Sequence, residues 1–541
     1  MARDITHLPD LAAEGGRVAP VRTRMPVYLD LLPPCNRACP AGENIQEWLR
    51  LTKAGEEEAA WRELVVNNPF PAIHGRVCYH PCEVSCNRVE LDGTVSIHSV
   101  ERYLGDLALK EGWAFTKPEK STGHRVLIVG AGPSGLSAAY QLALLGHEVE
   151  IRDSAPLPGG MMRYGIPEYR LPRDVMEAEI ARIVDLGVRI VPNYTVKDLM
   201  AEKEGGEFDA CFVAIGAHLS RRVDIPNADA SKMLDAVTFL RDVASGERPD
   251  IGHKVAIYGG GNTAMDAARV ARRLGADESV IIYRRTKEQM PANAEELEGA
   301  ESEGVTMNWL RTISSVEQDD LTVEVMELDE NGRPHGTGKF EKLEADTVIL
   351  ALGQETDSSF LRRIPGMRFE HDVVAVDPRT LMTDVPGIFA GGDAVPSERT
   401  VTVGVGHGKR AARQMDAWLA GHTLPTRPKH DLAGFTKLNL WYFGDARGTT
   451  QPELEPAERV TDFDEIVGGL SDEAAHVEAG RCLSCGNCFE CDGCLGSCPE
   501  EAVIKLGKGL RYRFDYDKCT GCGSCFEQCP VHAIEMIEEN A

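Results

Sequence analysis

The cysteines of this chain are concentrated at its two ends, and this distribution limits the folds that the chain can adopt. Of 16 cysteines in 541 residues, five lie between Cys35 and Cys86 and ten between Cys482 and Cys529, with only Cys211 between the groups. The opening residues, MARDITHLPDLAAEGG, lack the apolar core of a secretory signal, so a disulfide framework is not expected. We therefore expect both ends to bind metal clusters and the middle to do something else.

Two cysteine runs near the C-terminus share one pattern. CFECDGCLGSCP and CTGCGSCFEQCP each read C-x2-C-x2-C-x3-C-P. This is the pattern of bacterial two-cluster ferredoxins, in which the fourth cysteine of each run ligates the other 4Fe–4S cluster, and zinc knuckles do not require it. Only a frame starting at Cys488 fits, so Cys482 and Cys485 remain outside the pair. The predicted ligands are Cys488, Cys491, Cys494 and Cys529 for one cluster and Cys519, Cys522, Cys525 and Cys498 for the other.

The middle of the chain begins with RVLIVGAGPSG, an apolar strand that runs into Gly130, Gly132 and Gly135. A helical pattern and a second strand follow, and that strand ends in Asp153. In this order the glycines permit a tight turn, close approach to a pyrophosphate and close helix–strand packing. An acidic residue about 20 positions on is placed to bind a ribose hydroxyl. The segment predicts a Rossmann-like site that suits FAD.

A second fingerprint appears in KVAIYGGGNTAMDAARVARRLG, with an alanine, Ala264, at the third glycine position. Its next strand, SVIIYRR, ends in two arginines where the first unit has its acid. Arginines suit a 2′-phosphate that an acid would repel, so this site suits NADP(H). The alternative is that the arginines form a solvated, salt-bridging surface. The predicted binding residues are Gly259, Gly261, Asn262, Thr263, Arg284 and Arg285.

Further along, ADTVILALG reads as a buried strand and is followed by TDVPGIFAGGDAV. Here the chain resembles the flavoproteins with two dinucleotide-binding domains, in which the nicotinamide domain is inserted into the FAD domain. The resemblance implies that Gly392 and Asp393 bind the flavin, with the carboxylate on its ribityl chain. It also implies that a helix beginning near residues 402–404 points its N-terminus at the flavin. The run PGGMMRYGIPEYRLP, which contains Gly160, resembles the family's loop beside the isoalloxazine.

The N-terminal cysteines occur in CNRACP and NPFPAIHGRVCYHPCEVSCN, and VSIHSVERYLGD follows them. These segments closely resemble the N-terminal iron–sulfur domain of the glutamate synthase small-subunit family. That family includes the large subunit of NADH-dependent ferredoxin:NADP oxidoreductase and the N-terminal part of dihydropyrimidine dehydrogenase. The resemblance runs from about residue 30 to residue 420 and implies two clusters in this domain. One of them would be ligated by Cys39, Cys78, Cys82 and Glu101.

The chain departs from that family at one point. The first C-x2-C pair, which the family places before the C-P motif, is missing, and the phrase that carries it appears near the C-terminus as GLSDEAAHVEAGRCLSC. Without Cys211 and with Glu101, the chain offers the 16 ligands that four 4Fe–4S clusters need. We therefore predict that the remaining cluster is held from both ends of the chain. The alternative is a free or zinc-binding pair and three clusters. The predicted ligands are Cys35, Cys86, Cys482 and Cys485.

These segments together predict a multidomain fold. It has an α-helical N-terminal Fe–S domain, two Rossmann-like α/β domains with the NADP domain inserted in the FAD domain, and a C-terminal α+β bacterial ferredoxin-like domain. The predicted boundaries are 1–120 for the N-terminal domain, 121–220 with 345–421 for FAD, 221–344 for NAD(P), 422–480 for a linker and 481–541 for the ferredoxin-like domain.

The composition excludes some classes of function. A formal net charge of -27 argues against nucleic-acid binding. No apolar run approaches the roughly 18 residues that a membrane span needs, so we expect a cytoplasmic protein without membrane contact. The acidic surface either steers a basic face of a redox partner or serves solubility alone.

The predicted function is that of an oxidoreductase that moves electrons between NADP(H), with NAD(H) as the alternative, bound FAD and four 4Fe–4S clusters. The expected partner is ferredoxin or a large redox enzyme subunit, such as a 2-oxoacid:ferredoxin oxidoreductase or a dissimilatory sulfite reductase, in a hetero-oligomer or a homodimer. No general acid or base is required, because the cofactors carry the chemistry.

Three rival functions remain. The first is the small subunit of an NADPH-dependent glutamate synthase, which lacks an appended ferredoxin domain. The second is a disulfide reductase, which needs a cysteine pair beside the flavin, whereas the core has only Cys211. The third is an electron-wiring scaffold with a vestigial nicotinamide site, against which the intact GGGNTA and YRR segments argue.

Overall fold

A computed structural model describes residues 22–221, 225, 233–317, 320–425 and 430–539, and every predicted site residue lies within them. The described chain opens with a strand and continues as a helical unit. Three of its short helices begin at proline, whose fixed φ suits the first helical turn. The elements are β1 Arg24–Tyr28, α1 Pro34–Ala38, α2 Ile45–Lys53, α3 Glu57–Val65, α4 Pro71–Val77, α5 Pro81–Val84 and α6 Ile97–Glu111.

The first nucleotide-binding unit follows. Its central strands are short, apolar and buried, as expected where helices cover both faces of a parallel sheet. The elements are β2 Arg125–Val129, α7 Pro133–Leu144, β3 Glu148–Arg152, α8 Met161–Tyr164, α9 Arg173–Asp185, β4 Arg189–Val191, α10 Leu199–Gly205, β5 Ala210–Val213 and β6 Leu219–Ser220.

The second unit repeats this strand–helix pattern and adds an antiparallel sheet. The elements are β7 Met233–Asp235, α11 Ala236–Ala244, β8 Lys254–Tyr258, α12 Asn262–Arg273, β9 Glu278–Tyr283, α13 Ala294–Ser302, β10 Thr306–Trp309, β11 Arg311–Glu317, β12 Asp320–Leu328, β13 Pro334–Glu344 and β14 Thr347–Leu350.

The rest of the chain returns to the first unit and then reaches the C-terminal unit. The elements are β15 Gln354–Glu355, β16 Phe369–Glu370, β17 Val373–Val374, β18 Ile388–Ala390, α14 Val401–Leu419, α15 Pro456–Arg459, α16 Asp472–Gly480, α17 Gly493–Ser497, β19 Val503–Lys505, β20 Tyr512–Phe514, α18 Ser524–Glu527 and β21 Ile534–Glu538.

Two parallel five-stranded sheets form the centre of the molecule. The first has the strand order β18-β5-β2-β3-β4, and the second has the order β10-β9-β8-β14-β7. All strands of the second sheet lie, in sequence, between β5 and β18 of the first. In parallel α/β sheets ligands bind beyond the carboxyl ends of the strands, which is where both glycine fingerprints lie. No described helix is long and apolar enough to cross a lipid bilayer.

The N-terminal strand belongs to the C-terminal part of the fold. β1 pairs antiparallel with β21, from Arg24 opposite Glu538 to Tyr28 opposite Ile534. Tyr28 also packs in the apolar core around the ferredoxin-type cysteines. The chain therefore crosses the C-terminal unit before it enters the helical N-terminal unit.

The segment 422–480, predicted as a linker, packs closely against two other units where the structure describes it. Glu465 forms ion pairs with Arg76 (2.7 Å) and Arg102 (3.0 Å) of the helical unit. The neighbouring Ile466 packs in the core of the second nucleotide unit, and its N–H donates to the Tyr169 carbonyl at 3.1 Å. This segment therefore ties the helical unit to the nucleotide-binding units.

Candidate functional site

One cavity of about 1320 Å³ is lined by residues of both glycine fingerprints. The helical unit also reaches its wall through Val77 and Tyr79, the two residues that flank Cys78. A single continuous space therefore connects the two predicted nucleotide sites and ends beside a predicted cluster ligand. Of the predicted cofactor-binding residues, those lining it are Gly130, Gly132, Asp153, Gly160, Gly259, Gly261, Asn262, Thr263, Arg284, Arg285, Gly392 and Asp393.

The glycines of the first site stand where a side chain has no room. Gly130 has φ +107°, and a Cβ there would meet the Ala214 carbonyl oxygen at 2.3 Å. A Cβ on Gly160, at φ +54°, would lie 2.7 Å from the Cα of Gly132. Gly135 does not line the cavity, but a Cβ there would meet the Gly130 carbonyl at 2.0 Å, so it serves the close turn into α7. The result is a bare-backbone cradle of the kind that fits a pyrophosphate.

Two carboxylates border this cradle. Both oxygens of Asp153 accept backbone N–H groups, from Ala131 at 2.5 Å and from Ala155 at 2.7 Å, so the side chain is held at the end of β3. Burial raises the pKa of Asp393 to about 6, against the effect of Arg399, which lowers it. Nδ1 of His407, in α14, accepts the Gly392 N–H at 3.1 Å and so holds the turn that contains Gly392 and Asp393. Sequence reasoning did not identify this histidine.

The second site has the same backbone form. Gly259 has φ +152°, and a Cβ there would meet the Ala351 carbonyl at 2.2 Å. A Cβ on Gly261 would meet no atom within 4 Å, so this glycine faces open cavity. Asn262 Oδ1 accepts the Asn293 N–H at 2.8 Å and anchors the loop opposite.

The two arginines of the second site lie at the cavity wall. Arg284 is exposed, whereas Arg285 is partly buried and its Nε has no hydrogen-bond partner in the described part of the chain. Cationic groups in this position can pair with a nucleotide phosphate.

A buried ionic network fixes one nucleotide unit against the other. Arg170, in the loop that follows Gly160, pairs with Asp266 of α12 at 2.9 Å and with Glu296 of α13. The neighbouring Tyr169 ring lies 3.7 Å from the Arg273 guanidinium carbon. Because both carboxylates of this network have an arginine partner, the network holds the two nucleotide units against each other at the cavity.

The first group of predicted cluster ligands meets beside the cavity. Burial and then the neighbouring carboxylates raise the pKa of Cys39, and burial, Cys78 and further neighbours raise that of Cys82. Burial also raises the pKa of Glu101, and its Oε1 accepts the Asn68 amide at 2.8 Å. The structure thus places Cys39, Cys78, Cys82 and Glu101 together.

The second group joins the two ends of the chain. Burial and then the thiols of Cys482, Cys86 and Cys485 raise the pKa of Cys35. Burial raises the pKa of Cys482 to about 11 and that of Cys485 to about 12. All four side chains predicted from the rearranged motif are therefore neighbours.

The two groups are one helical turn apart at two places. Cys35 and Cys39 stand at the ends of α1, and Cys82 and Cys86 lie at and just beyond α5. Both pairs also pack in one apolar core. The two groups are therefore adjacent, and together they form one region of predicted cluster ligands.

The ferredoxin-type cysteines are divided between two groups as the frame predicts. After burial, Cys488, Cys491 and Cys529 raise the pKa of Cys494 to about 12. Burial raises the pKa of Cys525 to about 11, with added contributions from Cys519, Cys522 and Cys498. Cys485 and Cys488 share one apolar core, so this unit adjoins the group held from both chain ends. Cys211 is apart from all of them, buried in β5.

The side chains and backbone at each site fit the cofactor predicted for it. Four separate groups of thiols, one completed by a carboxylate, suit iron–sulfur clusters, and two bare-backbone glycine cradles with a basic wall at one end suit FAD and NADP(H). Sequence patterns did not indicate the side chains that surround Glu101. Asn68, Glu43 and His74 meet there, and Asn68 donates to Glu43 Oε1 at 3.0 Å and contacts His74 Nδ1 at 2.8 Å.

Three protein families match the chain. Residues 124–408 match the pyridine nucleotide-disulphide oxidoreductase family. Residues 31–113 match the 4Fe–4S cluster domain II of dihydropyrimidine dehydrogenase, and residues 512–535 match the 4Fe–4S binding domain. The matches confirm the predicted cofactor classes, FAD/NADP and 4Fe–4S clusters.

Several relatives are similar over most of the chain. The NADP(+)-dependent formate dehydrogenase subunit beta of Moorella thermoacetica is 38% identical and covers 84% of this chain and 70% of its own length. The NADPH-Fe(3+) oxidoreductase subunit beta of Geobacter sulfurreducens is 33% identical, over 84% of this chain and 75% of its own. The glutamate synthase [NADPH] small chain of Azospirillum brasilense is 32% identical, over 72% and 86%.

Proposed function

Because the chain belongs to the NADPH-dependent iron–sulfur flavoprotein oxidoreductases that include the glutamate synthase small chain and the NADP-dependent formate dehydrogenase subunit beta, we propose that it connects NADP(H) to a partner redox subunit through four clusters in fixed order. The main support for this proposal is the continuous cavity that both glycine fingerprints line. It reaches Val77 and Tyr79, which flank Cys78. FAD held in this cavity would supply hydride acceptance from NADPH and one-electron transfer to the clusters.

The chain's residues have distinct tasks in this proposal. The backbone of Gly130, Gly132 and Gly160 holds the FAD pyrophosphate, and Asp153 and Asp393 orient the ribose and the ribityl chain. Gly259, Gly261, Asn262 and Thr263 hold NADP(H). Arg284 and Arg285 select the 2′-phosphate, which their position at the cavity wall supports.

The cluster order follows from adjacency. The group with Glu101 adjoins the cavity. The group held from both chain ends adjoins the group with Glu101 through α1 and α5, and the ferredoxin-type pair comes last. We assign residues 29–120 to the helical cluster domain and 481–541 to the ferredoxin-like domain, which β1 joins by pairing with β21. The predicted boundary at 344 moves beyond β14, because this strand pairs with β7 and β8 of the second sheet. The inserted NADP domain is therefore 221–350, and the FAD domain is 121–220 with 351–421. The segment 422–480 is a strap rather than a free linker, which its ion pairs support.

The partner is a redox subunit that docks at the ferredoxin-like domain. Two relatives are named as beta subunits and one as a small chain, which supports a hetero-oligomer. A role as a glutamate synthase small chain is the second candidate, because the match to that protein covers 72% of this chain. Co-purification with a formate-, 2-oxoacid- or glutamate-converting subunit distinguishes these assemblies.

The test of the proposed function is anaerobic reduction of the full chain by NADPH, followed by flavin absorbance and cluster EPR. A Cβ on Gly261 would enter open cavity without touching the fold, so Gly261→Ala should weaken reduction by NADPH and leave reduction by dithionite intact. Gly205→Ala, in α10, is the matched control, since a Cβ there also meets nothing within 4 Å. Failure of NADPH to reduce the wild-type flavin would overturn the proposal.

A further inference from the structure

Thr402 carries a buried hydroxyl that the fold leaves without a well-aligned partner. It is the second residue of α14 and is 3% exposed, and its Oγ1 has no aligned hydrogen bond within the described residues. A helical threonine usually bonds a carbonyl three or four residues back. At this position those carbonyls precede the helix. Since buried hydroxyls are nearly always satisfied, this one calls for an acceptor.

Cys78 ends α4, and its neighbours Val77 and Tyr79 line the same cavity as Val401, the residue before Thr402. Burial and Glu101 raise the pKa of Cys78 to about 12, whereas hydrogen bonding from Thr402 lowers it. The Cys78 sulfur is the candidate acceptor, because a metal-bound thiolate accepts a hydrogen bond much better than a thiol does. The Cys78 sulfur also accepts the backbone N–H of His80 at 3.3 Å.

Helix α14 contacts both the cavity and the cluster domain. Thr400, Val401 and Gly404 line the cavity at its N-terminus. One turn further on, a Cβ on Gly406 would meet the Pro40 carbonyl at 2.1 Å, so the helix touches the backbone next to Cys39. Thr402 therefore lies between the flavin side of the cavity and the predicted ligands.

We propose that Thr402 is a positioning residue that donates a hydrogen bond to Cys78 Sγ when this sulfur ligates the cluster nearest the flavin, and that the bond raises the reduction potential of that cluster. The inference rests on the proposed function and deepens it. A donor to a ligating sulfur stabilises the reduced cluster, which carries one more negative charge than the oxidised one. Electron transfer out of the flavin is thereby made more favourable at its first step.

The test uses the full chain with its cofactors and two substitutions that separate the shape of the side chain from its hydroxyl donor. Thr402→Val keeps the shape and removes the donor, and Thr402→Ser keeps the donor. In Thr402→Val we expect the equilibrium constant for reduction of one cluster to fall roughly tenfold, which lowers its reduction potential by about 59 mV for one electron. An EPR-monitored redox titration measures this shift. Thr402→Ser should restore the wild-type potential, and the other three clusters should be unchanged.

A second measurement keeps the test decisive if Thr402→Val does not assemble its clusters. Pulsed EPR of the wild-type chain in H2O and D2O should show the exchangeable proton of the Thr402 hydroxyl coupled to this cluster, in addition to that of the His80 N–H. The hydroxyl coupling alone should be missing in Thr402→Ala, and it should be retained in Thr402→Ser. A fully iron-loaded Thr402→Val with the wild-type potential, or a wild-type chain without the hydroxyl coupling, overturns the role of Thr402 and leaves the proposed function standing. A wild-type chain without any cluster beyond the ferredoxin-type pair overturns both.

Discussion

The side-chain amide of Asn87 donates to the Sγ of Cys485 at 3.3 Å, across 398 positions of sequence, and also to the Ala433 carbonyl at 2.7 Å. One asparagine of the helical unit thus orients a thiol from the far end of the chain. Arg481, beside Cys482, makes a matching contact, since its guanidinium donates to the Thr94 carbonyl at 2.7 Å. The C-terminal RCLSC segment is therefore built into the N-terminal unit.

Removing the two C-terminal thiols of this group should remove one cluster. Cys482→Ser with Cys485→Ser should lower the iron content from about 16 to about 12 per chain, because two ligands cannot hold a 4Fe–4S cluster at this site. Iron analysis and EPR make the measurement, and both ferredoxin-type clusters should survive. Cys211→Ser, in a buried strand, is the control and should keep all iron. Unchanged iron and EPR signals in the double variant would rule out a cluster held from both ends.

Cofactor preference should depend on the arginines that end β9. Replacing Arg285 by alanine removes a charge-assisted phosphate contact of roughly 1.5–3 kcal/mol, so kcat/KM for NADPH should fall about ten- to a hundredfold and that for NADH should change little. Steady-state kinetics with a dye acceptor measure both. The control is Arg368→Ala, because Arg368 forms an exposed ion pair with Asp384 outside the cavity. An unchanged NADPH/NADH ratio would contradict the assignment.

Asn68 should be required for the cluster with Glu101. Its amide donates to both Glu101 and Glu43, so Asn68→Ala leaves two buried carboxylates without their donor, at a cost of about 1–3 kcal/mol each. We expect the EPR signature of this one cluster to shift or disappear and the thermal midpoint to fall. Glu101→Ala should affect the same signal. If Asn68→Ala altered a different cluster, the ligand assignment would be wrong.

Electrons should leave through the ferredoxin-like domain. Cys519→Ser with Cys522→Ser should abolish reduction of the partner subunit while NADPH-to-dye activity continues, because the nucleotide cavity is untouched. Substitution is preferable to truncation, since removing the domain would also leave β1 without β21 and take away Cys482 and Cys485. Partner reduction at the wild-type rate would place the exit elsewhere.

The ionic network between the nucleotide units should be essential for stability. Arg170→Ala leaves Asp266 and Glu296 without their shared partner, and breaking a buried pair in this way costs about 3–5 kcal/mol. The thermal midpoint should fall markedly, and NADPH binding should weaken because α12 carries the nucleotide loop. Arg311→Ala, which breaks a partly exposed pair with Glu341, should have a small effect. Equal losses in the two variants would show that the network has no special role.

Local spacing of residues was enough to predict several parts of this protein. A turn between strand and helix needs glycine at Gly130 and Gly259 because of their positive φ and the carbonyls that face them, and the C-x2-C-x2-C spacing follows from the geometry of one cluster. The classes of fold and cofactor, confirmed by the family matches, followed from these patterns. Such features are set by a few consecutive residues and need no knowledge of the rest of the chain.

Apart from the predicted cysteine groups, the contacts between distant residues are visible only in the tertiary structure. Nothing near Thr402 in the sequence indicates Cys78, and nothing near Glu465 indicates Arg76 and Arg102. The family phrase pointed to Cys482 and Cys485, but only the packing of α16 and the helical unit brings them beside Cys35 and Cys86. These contacts depend on how buried surfaces and buried charges are satisfied across the whole molecule, and closing a loop of several hundred residues costs little more entropy than closing one of moderate length. Sequence separation therefore carries almost no information about them.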